Sequence, residues 1–444
     1  MTARVSADAR PARDGGPVAV TTGPRRHAAL REALHARMRS DGVLYGGDPV
    51  PCAPVAVVLP RAQWRRMAEV AAVLCRALQI VCAAALESPA RRTAWRLGPA
   101  EDDVVRRARR GGDVAPLVRF DCAYDGRVLR VLEVNTIFAG LAPSDRLAEL
   151  VLELDETLSA HEIEHAPLTP VLARLLGSEQ ARAPGETRSF ALVGCGADDP
   201  IRAEYAYTVA RLETHGLTGS CATFGELRAG PEGSVRAGAR DVGAIYLRGT
   251  FGDALAALGA DAVLADALAG GRVAVVNPVV SLLADSKAAL AAIRAPECRA
   301  LLSRDERALL DLHVPETFVV PADTERDSGG LLDTLASERE RYVLKPADGF
   351  GGTGITVGRE CSPSAWIEHV RRARALRYVA QRYVPHSTVA AVRGRGAAPM
   401  RLNVNLVAAR GRLAGGFARW SPHAVVNIAR GGAMLPLYAA AESA

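Results

Sequence analysis

The chain has 444 residues, enough for two or three packed units at roughly 150 residues each. With 49% apolar and 23% charged residues, it can bury a large core without metal or disulfide staples. The net charge is +6 (55 Lys and Arg against 49 Asp and Glu), but the Arg is scattered and aromatics are only 5%. That pattern argues against nucleic acid, whose binders gather charge in a stripe with interleaved aromatics. The eight cysteines show no Cys-x-x-Cys and no Cys/His metal spacing, so a zinc site or redox pair is not expected.

Residues 1–25 are rich in Pro, Gly and Arg and predict a disordered tail. They contain no apolar run of the secretory kind, so the expected location is cytoplasmic. Helical patterns follow at 27–39 and 61–86. The apolar stretch Ala68–Leu86 is cut by Arg76 and Gln79, which marks a core helix and not a membrane span. Two strand-like runs, Leu117–Ala123 and Val128–Asn135, flank Asp125-Gly126, and helices are expected at 145–157 and 167–176. Polar Gly177–Thr187 reads as a linker.

From Phe190 the pattern becomes strand, helix, strand: Phe190–Gly194, Arg202–His215 and Val242–Leu247. Such alternation predicts a small parallel α/β unit. The last section starts near Ala274 with a helix around Lys287. It continues with a strand Tyr342–Lys345, a glycine-rich turn, a strand Tyr378–Val384 and a β-rich stretch from Leu402. The units are therefore drawn at 26–186, 187–275 and 276–444.

Three patterns carry chemistry. First, a buried strand delivers Lys345 directly into a loop with Gly349, Gly351, Gly352 and Gly354. Glycines let successive backbone N–H groups converge on an anion, and a neighbouring lysine adds a point charge for phosphate. The lysine precedes the glycines, so this is neither a Walker A loop nor a dinucleotide fingerprint. Second, Arg119-Phe-Asp121 and Glu133-Val-Asn135 each put two polar side chains on one strand face. Carboxylates, an amide oxygen and a guanidinium suit Mg²⁺ and the phosphates it bridges. A two-residue turn on Asp125-Gly126 would leave Asp121 on the face opposite Glu133, so convergence demands an odd loop or a bulge. Third, Ser286-Lys287 opens a helical pattern after Asn277-Pro278, and Gln381-Arg-Tyr383-Val384 ends a strand that could read adenine through its backbone. Arg419 and Gly431-Gly432 form a late candidate site for a substrate carboxylate.

In this order the motifs resemble eukaryotic-type glutathione synthetase and, more distantly, glutathionylspermidine synthetase. Both are circularly permuted members of the ATP-grasp superfamily, in which Glu-x-Asn precedes the glycine-rich loop. The resemblance runs from Asp41 onward and rests on Gly42–Leu59, Leu132–Ile137, Asp241–Arg248, Asn277–Leu290 and Lys345 with its glycines. It implies a mixed α/β ATP-grasp fold with a small parallel α/β substrate domain, using ATP and Mg²⁺. It implies Mg²⁺ on Glu133 and Asn135, joined by Asp121, and ATP phosphates on Lys287 and Lys345. Arg119 would meet the transferring phosphoryl group, and Thr136, Arg248 and Arg419 the substrate. Partners would be a small carboxylate and an amine, with neither nucleic acid nor membrane, in a homodimer.

The implied activity is an ADP-forming carboxylate–amine ligase working through an acyl phosphate. Departures from the family pattern fall on substrate contacts. Phe138-Ala-Gly-Leu-Ala142 replaces a serine-rich stretch and Arg419-Trp-Ser421 replaces Arg-Thr-Lys; in the glycine loop, where the family has an acid just before the glycines, Asp348 precedes Gly349-Phe350, which leaves a third metal-ligand role open. Glutathione synthesis itself, a non-catalytic nucleotide binder, and an NAD(P)-dependent oxidoreductase suggested by Gly194-Cys-Gly196 are the competing readings.

Overall fold

The computed structural model describes residues 17–20, 24–108, 112–159, 162–183, 187–194, 196, 198–269, 271, 273–327, 329–349, 351–393 and 396–441. Strand Leu117–Tyr124 shows how the sequence builds it. Val118, Phe120, Cys122 and Tyr124 alternate with Arg119, Asp121 and Ala123, so the strand has one apolar and one polar-bearing face. The apolar face joins a core cluster with Val404, Leu406, Ala418 and Trp420 of neighbouring strands. Helix Arg61–Glu87 covers that face with Met67, Val70, Leu74, Leu78 and Val81. By length and composition this helix could cross a membrane; here its apolar stripe is the lid of the core.

The central sheet runs in the order Val18–Val20, Ala56–Leu59, Ala433–Ala440, Arg412–Ser421, Gly396–Ala409, Leu117–Tyr124, Leu129–Asn135. A second sheet, Ala274–Val276, Ala244–Leu247, Ser189–Gly194, Thr218–Thr223, is parallel throughout, as the α/β alternation predicts. A third, antiparallel sheet consists of Thr317–Val319, Tyr378–Arg382, Tyr342–Pro346 and Thr356–Val357. Its outer face packs Tyr342, Leu344 and Ala380 against Trp366.

Three expectations need correction. Val18–Val20, placed in a disordered tail, pairs antiparallel with Ala56–Val58, and a helix begins at Pro24; residues 1–16 lie outside the described residues. The linker expected from Gly177 starts inside a helix that runs from Thr169 to Gln180. The single strand Val242–Leu247 is two, because Gly243 sits against Thr187, where a Cβ would lie 2.0 Å from the carbonyl oxygen. The strands on either side of it belong to different sheets.

The hairpin shows the irregularity that convergence demands. Tyr124 pairs with Leu129 and Cys122 with Val131, but Asp121 pairs with Glu133. Leu132 is the extra residue of a β-bulge, which brings Asp121 and Glu133 to the same face. The four-residue turn alone would have set Asp121 opposite Leu132. Phe120 is fully buried between this hairpin and the long helix. Phe120→Ala should therefore lower the unfolding free energy by about 3–5 kcal/mol in urea titrations.

Candidate active site

The polar face of the central sheet is continuous across four strands. Register places Glu133, Asp121 and Asn405 side by side, with Asn135 opposite Arg119 and Asn403 opposite Arg419. Arg119 Nε donates to Asp121 Oδ1 at 2.6 Å, and Arg119 Nη2 to Oδ2 at 3.2 Å. Arg419 Nη2 donates to the same Oδ2 at 2.6 Å and to Asn405 Oδ1 at 2.6 Å. Burial works against the Asp121 charge, yet the two guanidiniums hold its carboxyl below the usual carboxylate range. Burial also lowers the Arg419 pKa. Phe138 lies over the Arg119 guanidinium, 5.3 Å from ring centre to Cζ.

Two lysines face this row. Lys287 caps the start of helix Ala288–Ala292 and reaches Glu133 Oε1 at 2.9 Å and the Gly349 carbonyl at 3.0 Å. Burial alone would lower its pKa; the Glu133 carboxylate holds it above the ordinary lysine value. Lys345 points from the third sheet to Gln381 Oε1 at 2.6 Å and to the carbonyl of Leu132 at 3.2 Å. Gln381 Nε2 donates to that carbonyl too, at 3.2 Å. The bulge therefore does double duty: it aligns the acids and offers its unpaired carbonyl to the facing sheet. Burial holds Lys345 down to about 8.

The glycine loop follows Lys345 as the sequence predicts. Gly351, Gly352 and Gly354 have φ of 66°, 74° and 75°, a region that side chains disfavour. A Cβ on Gly352 would lie 2.4 Å from Val425, so the loop rests on the C-terminal part of the central unit. Phe350 lies outside the described residues. Asp348 pairs with Arg377 at 2.6 Å and lies beside Ser286.

Several assigned residues have other partners. Both oxygens of Asp121 are taken by guanidiniums, so it fits a counter-ion better than a metal ligand. Thr136 is 3% exposed; its N–H donates to Asp285 at 2.5 Å and its hydroxyl to the same oxygen at 3.0 Å. Its carbonyl accepts from Asn277 Nδ2 at 2.6 Å, so Thr136 binds protein and offers no free group to a substrate. Arg248 lies between the rings of Tyr205 and Tyr246, each 5.8 Å away, and pairs with buried Glu204 at 3.5 Å. Glu204 also accepts the Gly140 N–H at 2.7 Å. An internal carboxylate thus stands where a substrate carboxylate was expected. Gln381 reads through its side chain, since its backbone lies within the third sheet. The Tyr383 N–H is bonded to Arg341 at 2.8 Å, while Tyr383 and Val384 line a cavity of about 560 Å³ with Arg130, Glu316 and Arg382. Gly194 lies under the Tyr205 ring, where a Cβ would stand 2.2 Å from a ring carbon, which leaves no room there for a pyrophosphate.

Among the described residues no group of three or more His, Cys, Asp or Glu gathers as a metal site. Glu133 and Asn135 nevertheless fit a hard cation. They share a face, and Glu133 commits only one oxygen to Lys287, so its second oxygen and the Asn135 amide oxygen would be the ligands; the Asn135 amide atom buried without a partner is Nδ2, a donor, which a cation does not satisfy. Sequence reading missed Asn405, Asn403, Glu204 and Asp285. The alternation Arg401-Leu-Asn403-Val-Asn405-Leu could have flagged the first two, since polar residues recur at period two.

No family model and no curated protein matches the chain. A solved glutathione synthetase-like effector from Globodera pallida, in its apo form, is similar over 94% of this chain and 98% of its own. The TM-score is 0.61 and the sequence identity 12%. The fold is glutathione synthetase-like. A candidate γ-glutamylcysteine synthetase from Methylobacillus flagellatus is also similar, at 12% identity and TM-score 0.43, over 80% of this chain and 84% of its own. At such identity the likeness concerns the path of the backbone.

Removing Asp121 tests its role as counter-ion. Asp121→Asn leaves two buried guanidiniums without their charge partner, which should cost about 3–5 kcal/mol of stability in metal-free buffer with chelator. Unchanged denaturation there would return Asp121 to the metal site.

Proposed function

We propose that this protein is an ATP-dependent carboxylate–amine ligase of the ATP-grasp type, permuted so that its acidic strand precedes its glycine loop. The observation that carries the reading is the facing pair of anion sites. Lys287, Lys345 and the glycine loop lie on one side, and the Arg119–Asp121–Arg419 row on the other, with Glu133 between them. A triphosphate on the lysines would bring its terminal phosphate to a carboxylate held by the arginines.

In the first step an oxygen of the acid attacks the γ-phosphorus, the bond to the β–γ bridging oxygen breaks, and ADP leaves. In the second the amine attacks the acyl carbon, phosphate departs, and the amine loses a proton. Such transfer needs positioning and charge neutralisation more than covalent help. Arg119 and Arg419 would hold the acyl phosphate and the oxyanion that forms on it. The glycine loop, resting on Val425, would exclude water that destroys the intermediate. Glu133 and Asn135 would hold Mg²⁺, which supplies neutralising charge to the β- and γ-phosphates.

The acid is proposed to be a small amino acid or peptide, because the floor beneath it carries Arg119, Asp121, Asn405 and Arg419 in one row. Glutathione synthesis is the weaker variant of this reading, since the Glu204 carboxylate stands 3.5 Å from Arg248, where a substrate carboxylate would be held. A test is ADP release from Mg-ATP with a panel of amino acids and dipeptides, γ-glutamylcysteine plus glycine included, with hydroxylamine as trap. Hydroxamate from one acid, absent in Glu133→Ala, is the expected result. ADP formation at normal rate in that variant would overturn the assignment.

The Lys345 charge yields a pH signature. With its pKa held down to about 8 in the free protein, the side chain is cationic below that pH and neutral above it. A bound triphosphate favours the cation, so binding takes up a proton at alkaline pH. Mg-ATP affinity should therefore fall as pH rises from about 8 to about 10, by up to roughly tenfold per unit. Titration calorimetry in buffers of different ionisation enthalpy would show the proton uptake. A flat profile would take Lys345 out of the phosphate site.

A further inference from the structure

One side chain on the polar face has no place in the reaction just described. Asn403 is 5% exposed, and its amide oxygen is buried without a donor. Register sets it between Ala123 and Arg419, on the face of Asp121 and Asn405. Buried acceptors left unpaired are uncommon because they forfeit their bond to water, so such an oxygen calls for a ligand.

The two ends of the strand around Asn403 are tied to different parts of the nucleotide site. At one end, the chain that leaves Val384 crosses the sheet: Ser387 N–H donates to Tyr124 at 2.8 Å, and Leu402 N–H donates to Ser387 at 3.2 Å. His386 lies on that crossing, where burial, helped by the charges of Lys345 and Arg401, holds its imidazole down to about 4. At the other end, Asn405 holds Arg419 beside Asp121, the row that faces the lysines. Residues two apart on a strand are roughly 6.6 Å apart. Asn403 therefore stands between the crossing that follows Val384 and the Asp121–Asn405 row that faces the lysines.

We propose that Asn403 accepts a hydrogen bond from a ribose hydroxyl of the bound nucleotide. The inference rests on the nucleotide-binding reading above and adds sugar recognition to it. A ribose fits this position because a hydroxyl donates, which is what a lone carbonyl oxygen lacks, and because a sugar spans the distance between base and phosphates.

The test is calorimetric titration of the full chain with Mg-ATP, Mg-2′-deoxy-ATP and Mg-3′-deoxy-ATP, for wild type, Asn403→Ala and Asn403→Asp. One hydrogen bond predicts that wild type binds ATP roughly fivefold tighter than one of the deoxy forms. Asn403→Ala should bind all three alike, at the affinity of that deoxy form, while Asn403→Asp, which keeps an acceptor, retains discrimination. Undiminished discrimination in Asn403→Ala overturns the inference, and so does a wild type that binds the three forms equally, which would leave Asn403 to a substrate N–H or to water. A wild type that binds no Mg-ATP overturns the nucleotide reading itself, and this inference with it. Thermal unfolding of the ligand-free variants, expected within a few degrees of wild type, separates lost binding from lost fold.

Discussion

The extra residue at Leu132 is the constraint on which the site depends. A strand repeats every two residues, so an unbulged hairpin would send Asp121 and Glu133 to opposite faces, one of them into the core beside Phe120. The bulge shifts the register by one and puts both acids, with Arg119 and Asn135, on the same surface. It also releases a carbonyl from the ladder, and Lys345 and Gln381 of the third sheet close on it. A single irregularity therefore shapes the floor of the site and joins it to the opposing wall.

Charge is arranged by the same economy. Arg119 and Arg419 are both nearly inaccessible, and bare guanidiniums in such a place would be costly. Asp121 serves both, and Asn405 receives a further N–H of Arg419, so the pair is held in one geometry before any ligand arrives. Lys287 is held in like manner by Glu133. The segment that carries Lys287 is pinned to the acidic strand through Thr136, whose N–H, hydroxyl and carbonyl are gripped by Asp285 and Asn277. Movement of the lysine relative to Glu133 and Asn135 is thereby restricted, which suits phosphoryl transfer, where misplacement costs rate.

The backbone is glutathione synthetase-like, yet two arginines that the resemblance would give to ligands meet groups of the protein itself. Glu204 fills the field of Arg248, and Phe138 stacks on Arg119. Folds keep their scaffold while the contacts that choose a ligand change. Lys287, Lys345 and the glycine loop stand together across from the Arg119–Asp121–Arg419 row, while Arg248 faces the buried carboxylate of Glu204 at 3.5 Å.

The sequence by itself determined the local elements and the chemistry they could carry. Alternation at Leu117–Tyr124 set the two faces, the helical stripe of Arg61–Glu87 set what covers one of them, and the run from Lys345 to Gly354 specified a strand that opens into a glycine-rich turn. These are properties of neighbours in the chain, governed by periods of two and 3.6 residues and by the freedom of glycine. Parity of the hairpin was legible too, since it required an irregularity if the acids were to meet. Tertiary structure alone decided who pairs with whom. Asp121 could have been a ligand or a counter-ion until Arg419, on a strand that joins the sheet almost three hundred residues later in the chain, was seen on its second oxygen. Thr136 could have faced substrate until Asp285 and Asn277 consumed its polar groups. Arg248 could have awaited a carboxylate until Glu204 supplied one. Each of those outcomes depends on groups distant in sequence that meet as buried hydrogen bonds or ion pairs, and no local pattern encodes which of them wins.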